Sequence, residues 1–193
     1  EVLVNGEGEV YLAGYTASDD FPTRNAFQSA CGGYMDAFVA KFAPGGQSLS
    51  YATYLGGSGT ETSPCLVVDA QGQATVVGDT MSGDFPVKKA FQASFRGWVD
   101  GYVAKLSAAG DSLVFSTFFG GSKQDYPMGL ALDAKGDIYV SGSTGSPDFP
   151  VKNAFQKTRG LGRSASAIDG VNLFDNAVRK LAHYPPEHVL YFL

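Results

Sequence analysis

The sequence is poor in the residues that most often do covalent or metal chemistry: 193 residues hold two cysteines, two histidines and one tryptophan. Cys31 and Cys65 are too few for a disulfide framework, and two separate thiols are favoured over a single bridge. His183 and His188 lie five apart near Glu187 with no third ligand, which falls short of a metal site. The chain also lacks a Gly-x-Ser-x-Gly elbow, a His-Glu-x-x-His pair and a Gly-x-x-x-x-Gly-Lys phosphate loop. No catalytic residue, cofactor site or metal ligand set is therefore read. Its 14 basic and 19 acidic residues, net charge −5, are interspersed, so no basic stripe awaits phosphates and nucleic acid is excluded as a partner. No apolar run approaches the roughly 20 residues that cross a bilayer, and the first residues lack the order of a signal peptide.

What the chain has is glycine (25 residues), aromatics (13%) and enough apolar content (44%) for a sizeable core. With many Val, Tyr, Phe and Thr residues, this composition predicts an all-β protein of short strands and tight turns. One sentence is written three times: Asp20-Phe21-Pro22-Thr23-Arg24-Asn25-Ala26-Phe27-Gln28, Asp84-Phe85-Pro86-Val87-Lys88-Lys89-Ala90-Phe91-Gln92 and Asp148-Phe149-Pro150-Val151-Lys152-Asn153-Ala154-Phe155-Gln156. The copies stand 64 residues apart, and a fixed period of that kind signals a repeat array or propeller.

Overlaying the units gives four strands each. Short apolar runs come first (Val2 to Asn5, Leu66 to Asp69, Leu130 to Asp133). Hairpin turns follow with Gly8, Gly72 and Gly136, then second strands ending in Gly14, Gly78 and Gly142. That closing glycine fits close packing of neighbouring sheets. The motif then sits in a connection of about twenty residues, long enough to need its own packing. Its phenylalanines are the anchors, and its proline is positioned to start a short helical turn. Third strands run from Asp36 to Phe42 and Asp100 to Leu106, and fourth strands from Leu49 to Leu55 and Leu113 to Phe119. Each fourth strand ends in Gly-Gly-Ser (Gly56 to Ser58, Gly120 to Ser122), with Glu61 or Asp125 in the crossover that follows.

The tail follows the same plan. Asp175 to Leu181 matches Asp100 to Leu106, and Val189 to Leu193 reads as the last strand, with 11 extra residues in the third long loop around Arg159 to Gly170. A short helix over Leu173 to Leu181 is the competing reading. The units run about 1–58, 59–122 and 123–193 within one propeller segment.

The succession Asp-Ala-Phe-Val-Ala-Lys, Tyr-Leu-Gly-Gly-Ser, Asp-x-x-Gly-x-x-Tyr-Val-x-Gly and Asp-Phe-Pro…Ala-Phe-Gln resembles the bacterial seven-bladed beta-propeller (SBBP) repeat family, closely over 1–156 and loosely in the tail. The resemblance implies three four-stranded antiparallel blades from an exported or cell-surface bacterial protein, usually large and multidomain. Since propellers use about four to eight blades, this segment is expected to need further blades of a parent protein and, alone, to associate through exposed blade faces.

Blade topology puts the Asp-Phe-Pro loops and the Gly-Gly-Ser crossovers on one decorated face, the better bet for binding. Residues that recur in every unit are read as structural: Asp20, Asp84 and Asp148 as caps of the turn that follows them. Lys41, Lys105 and Lys180, inside strands, each need a carboxylate from the same or the next blade. Arg24, Lys88 and Lys152 are either an arc of positive charge for a partner or local mates of Asp20, Asp84 and Asp148, the latter favoured. Trp98 aligns with Tyr34 and is read as a recurring packing aromatic, with a sugar platform as the alternative. The function expected is a non-catalytic scaffold or binding module for a macromolecule or glycan. The alternatives are part of a propeller-based enzyme, for instance a glycan-cleaving one, and a purely architectural surface repeat.

Overall fold

The computed structural model describes residues 1–151 and, as backbone, the strand at 176–181. Eleven strands occur there: β1 (Val2–Val4), β2 (Val10–Thr16), β3 (Asp36–Phe42), β4 (Leu49–Leu55), β5 (Glu61–Val68), β6 (Ala74–Thr80), β7 (Asp100–Leu106), β8 (Leu113–Phe119), β9 (Asp125–Leu132), β10 (Ile138–Thr144) and β11 (Asn176–Leu181). They form two four-stranded antiparallel sheets, β1-β2-β3-β4 and β5-β6-β7-β8, and a third in the order β11-β10-β9. This is the all-β, propeller-blade architecture that the 64-residue period predicts.

The strand over Asn176–Leu181 pairs antiparallel with β10, with Ile138 opposite Leu181, so the helical reading of this stretch is corrected. The extra loop around 159–170, the terminal strand at 189–193, His183, Glu187 and His188 lie outside the described residues.

The hairpins follow from local chemistry. Gly8, Gly72 and Gly136 take φ of 78°, 75° and 81°, the left-handed conformation that glycine adopts without a Cβ clash. Ahead of each, Asn5, Asp69 or Asp133 receives two backbone N–H groups from the turn on its side-chain oxygen, a local bond typical of Asx turns.

The core lies between the sheets. Tyr11, Val39 and Tyr51 of the first sheet pack with Leu66, Val76 and Tyr102 of the second, while Val77 and Val103 face Ile138 and Val140 of the third. Val76 and Val77 are neighbours pointing to opposite faces, as the two-residue period of a strand requires. The second sheet is therefore covered on both sides, and every residue of β6 is buried. Neither face of Ala74–Thr80 therefore meets solvent, and its polar residues Thr75, Asp79 and Thr80 are buried with the rest.

Three sequence expectations change. β5 and β9 begin earlier than the apolar runs suggest, so Glu61 and Asp125 are the first residues of strands rather than crossover residues. Pro22 and Pro86 start no helical turn. The segment after each makes isolated bridges to the fourth strand, Arg24 to Ala52 and Gln28 to Tyr54 in the first sheet, Lys88 to Ser116 in the second, with Asn25 and Lys89 at positive φ directly after Arg24 and Lys88. Finally, Gly14 and Gly78 answer to their own sheets. A β-carbon on Gly14 would stand 2.7 Å from the Phe38 ring, and one on Gly78 2.7 Å from the Tyr102 hydroxyl. Phe38 and Tyr102 are their direct cross-strand partners.

Candidate functional site

The loops and crossovers meet on one face as the topology predicts, and the motif residues divide the work of holding it. Phe21 stacks on Phe38 with ring centroids 4.7 Å apart, and Phe85 on Tyr102 at 4.4 Å. Each ring of the third strand thus fills the space beside a glycine on one side and takes the motif phenylalanine on the other. Burying an aromatic on that scale contributes a few kcal/mol, which fixes the loop's start.

The motif aspartate reaches back to the preceding crossover. Asp84 Oδ1 accepts both the N–H (2.8 Å) and the hydroxyl (3.0 Å) of Ser58. Asp148 does the same for Ser122, at 2.8 Å for both. These donors hold both carboxyls below the usual aspartate range. The cap expected for the turn that follows is in fact a latch between units.

The motif glutamine reaches forward. Gln28 Nε2 donates to Asp36 Oδ2 at 2.7 Å while its Oε1 accepts the Gly56 N–H at 3.0 Å. Gln92 joins Asp100 to Gly120 in the same way, at 3.2 Å each. One loop therefore grips the crossover before it by Asp84 and the crossover after it by Gln92. The recurrence of Gln28 and Gln92 was visible in the sequence, but nothing local to the loop says which acid or crossover they reach.

At the other end of each blade, the strand lysines find carboxylates within their own sheets. Lys41 Nζ lies 2.9 Å from Glu9 and Lys105 Nζ 2.7 Å from Asp69. The acid changes place between units: Asn5 stands where Asp69 does, and Glu9 where Gln73 does. Asn5 then donates to Glu9 at 2.9 Å, which keeps the carboxylate aimed at the lysine. Lys41 also lies 5.2 Å from the Tyr11 ring centroid. Its bond to Glu9 holds that carboxyl below the usual range. The side chain of Lys180 lies outside the described residues.

Arg24 and Lys88 are both exposed on the free edge of the fourth strand, where their backbones bridge to Ala52 and Ser116. The Lys88 ammonium donates to the Leu113 carbonyl. The local pairing of Lys88 with Asp84 is not formed, because Asp84 is engaged by Ser58. Arg24 and Asp20 likewise form no ion pair. Lys152, the third of this set, is outside the described residues.

Trp98 and Tyr34 are each 77% exposed, which corrects the expectation that this recurring aromatic packs into the fold. Both stand just before the third strand, tied by the backbone to the neighbouring crossover: Tyr34 N–H to Gly59 O and Trp98 N–H to Lys123 O. Met81, 55% exposed, donates its N–H to Thr60 O, so Tyr34 and Met81 flank one crossover. A cavity at the second sheet junction, lined by Phe119, Val140 and Phe149, has about 20 Å³ of room, which suits one water. Among the described residues, no three His, Cys, Asp or Glu side chains are grouped to hold a metal ion. No helix there is long and apolar enough to cross a membrane. Cys31 and Cys65 are free thiols, each pushed up in pKa by burial.

Stacked four-stranded antiparallel sheets joined by face-sharing loops define a propeller-blade repeat protein. Residues 114–150 match the SBBP beta-propeller repeat. The matched span runs from β8 through β9 and β10 to the Pro150 of the motif, so it encloses both ends of the Ser122–Asp148 latch. No curated protein matches the chain.

Proposed function

We propose that this chain is a non-catalytic binding module of an exported or cell-surface bacterial protein, and that its contact surface is the face carrying Tyr34 and Trp98. The observation that carries the reading is the equal, 77% exposure of those two rings at equivalent positions of adjacent units. Large aromatics are normally withdrawn from water, and leaving the same position bare twice is unneeded for the fold. Each residue is tied by its backbone N–H to a crossover carbonyl, which presents single flat apolar surfaces spaced by polar groups. That suits the alternating apolar and hydroxyl faces of an extended glycan better than the contiguous apolar centre of a protein interface.

Trp98 is the sole tryptophan, so intrinsic fluorescence reports its surroundings directly. Titration with a panel of soluble polysaccharides is expected to give a saturable shift with at least one of them. Calorimetry with that glycan is expected to lose at least tenfold in affinity in Trp98→Ala and to weaken in Tyr34→Ala. An unchanged emission spectrum across the panel overturns the glycan reading.

A further inference from the structure

The junction of the first two sheets contains two carboxylates that no cation among the described residues answers. Asp36, which opens β3, and Glu61, which opens β5, are both fully buried. Asp36 Oδ2 accepts the Gln28 amide and the Gly32 N–H, but its Oδ1 has no hydrogen-bond partner. Glu61 Oε1 accepts the hydroxyls of Thr80 and Ser82, and its Oε2 the N–H of Gly57. The orphan oxygen and Glu61 Oε2 turn to one spot, since a β-carbon on Gly56 would collide with both.

Two ionised carboxylates so placed and so buried repel strongly and carry a desolvation cost as well. The second junction shows what is missing. There Asp100 and Asp125 crowd Gly120 in the same manner, yet Asp100 takes the Gly97 N–H on Oδ1 and the Arg96 N–H on Oδ2. Gly33 is the counterpart of Gly97, and no bond from it reaches Asp36. The first junction is one donor short.

We propose that Asp36 and Glu61 hold a single proton between Asp36 Oδ1 and Glu61 Oε2, and that its release to solvent as pH rises loosens the first sheet from the second. The proton supplies the absent donor and removes one of the two charges. Among the described residues, the other ionisable groups that face the pair are Cys31 from the loop before β3, Asp79 on β6, Tyr102 on β7 and Asp84 in the loop after β6. None is a cation, and both described ion pairs lie at the opposite end of the strands. Burial pushes the Glu61 carboxyl up against the pull of Ser82, Thr80 and Gly57, with Asp36 adding to the rise. A folded pKa above the unfolded one gives stability that is full below the ordinary glutamate value of ~4.3 and is lost as pH rises through the folded value.

The test compares wild type with Asp36→Asn, which keeps an acceptor for Gln28 and Gly32, turns an N–H toward Glu61 and leaves the Gly57, Thr80 and Ser82 bonds to Glu61 in place. Urea unfolding from about pH 5 to about pH 8 is expected to show the variant gaining on wild type, about tenfold in folding constant for each unit by which the pair's pKa is raised. A difference that stays flat across that range overturns the proposal. Restoration of wild-type stability at high pH by Ca²⁺ or Na⁺ alone also overturns it, because the occupant is then a metal cation. If the variant fails to fold, carboxyl ¹³C titration of wild type decides. A step of the pair above the ordinary carboxylate range supports the shared proton, and two ordinary midpoints refute it.

Discussion

Ser58 gives both its backbone N–H and its hydroxyl to Asp84 Oδ1, 26 residues further on, and the bond joins one unit to the next. Ser122 and Asp148 repeat it with the same 26-residue span. Asp84→Ala is expected to cost about 1 kcal/mol, the charge-assisted value discounted because the carboxylate is exposed. Ser58→Ala in that background is expected to cost little more. A double-mutant cycle by urea denaturation measures the coupling, and additive single costs would break the latch interpretation.

The pH response of the protein follows from opposed shifts. Asp84, held low by Ser58, and Glu9, held low by Lys41, contribute stability that is present above their unfolded values and lost as pH falls through the folded ones. Asp100 is pushed by burial from 3.8 up to about 6, against its bonds from Arg96 and Gly97. Its contribution is therefore full below the unfolded value and lost as pH rises through about 6. Carboxyl ¹³C titration is expected to place Asp100 near that midpoint, and an ordinary aspartate midpoint would contradict the packing of the second junction.

Gly78 is expected to tolerate no side chain. Its added β-carbon would meet the Thr62 carbonyl and the Tyr102 hydroxyl, both at 2.7 Å. Gly78→Ala should therefore cost about 2 kcal/mol or more through displacement of Tyr102 and the Phe85 stacked on it. Thermal melting checks this, with Gly83→Ala as control, since nothing crowds that position.

The lysine pairing in the first sheet is expected to be transferable. Glu9→Gln leaves Lys41, whose side chain is 12% exposed, without its carboxylate, at a cost of about 1–2 kcal/mol. Adding Asn5→Asp recreates the arrangement that Asp69 and Gln73 use with Lys105 and should recover most of that loss. Chemical denaturation of the single and double variants gives the answer.

Trp98→Ala is expected to leave stability within about 0.5 kcal/mol of wild type, because the ring is exposed. A larger loss in urea unfolding would mean that the ring serves the fold after all.

The strands were legible because a period of two and a period of 64 act together. Asp36–Phe42, Asp100–Leu106, Leu49–Leu55 and Leu113–Phe119 stand where the apolar runs and turn glycines put them. β5 began earlier than expected because Glu61 and Thr62 are polar residues paired inside the sheet with Thr80 and Asp79, where side-chain bonds replace apolar contact. The long loop was legible as ordered, through its phenylalanines, but not in its path. Isolated bridges to an edge strand leave no periodic trace, so those of Arg24 and Lys88, like the reach of Asp84 and Gln92, had to be seen. Trp98 was misread for a related reason. Recurrence shows that a ring is kept, and only its surroundings show whether it points in or out.

The bridges of Arg24, Gln28 and Lys88 cover the β4 and β8 edges of the first two sheets, which would otherwise offer unpaired N–H and C=O groups to another chain. The cover is cut from the same 64 residues as the edge it protects, whereas the latch to the neighbour is split between two units. Duplicating or deleting a whole unit therefore alters neither inventory, and a chain built this way has room to change length by recombination without uncovering its fourth strands.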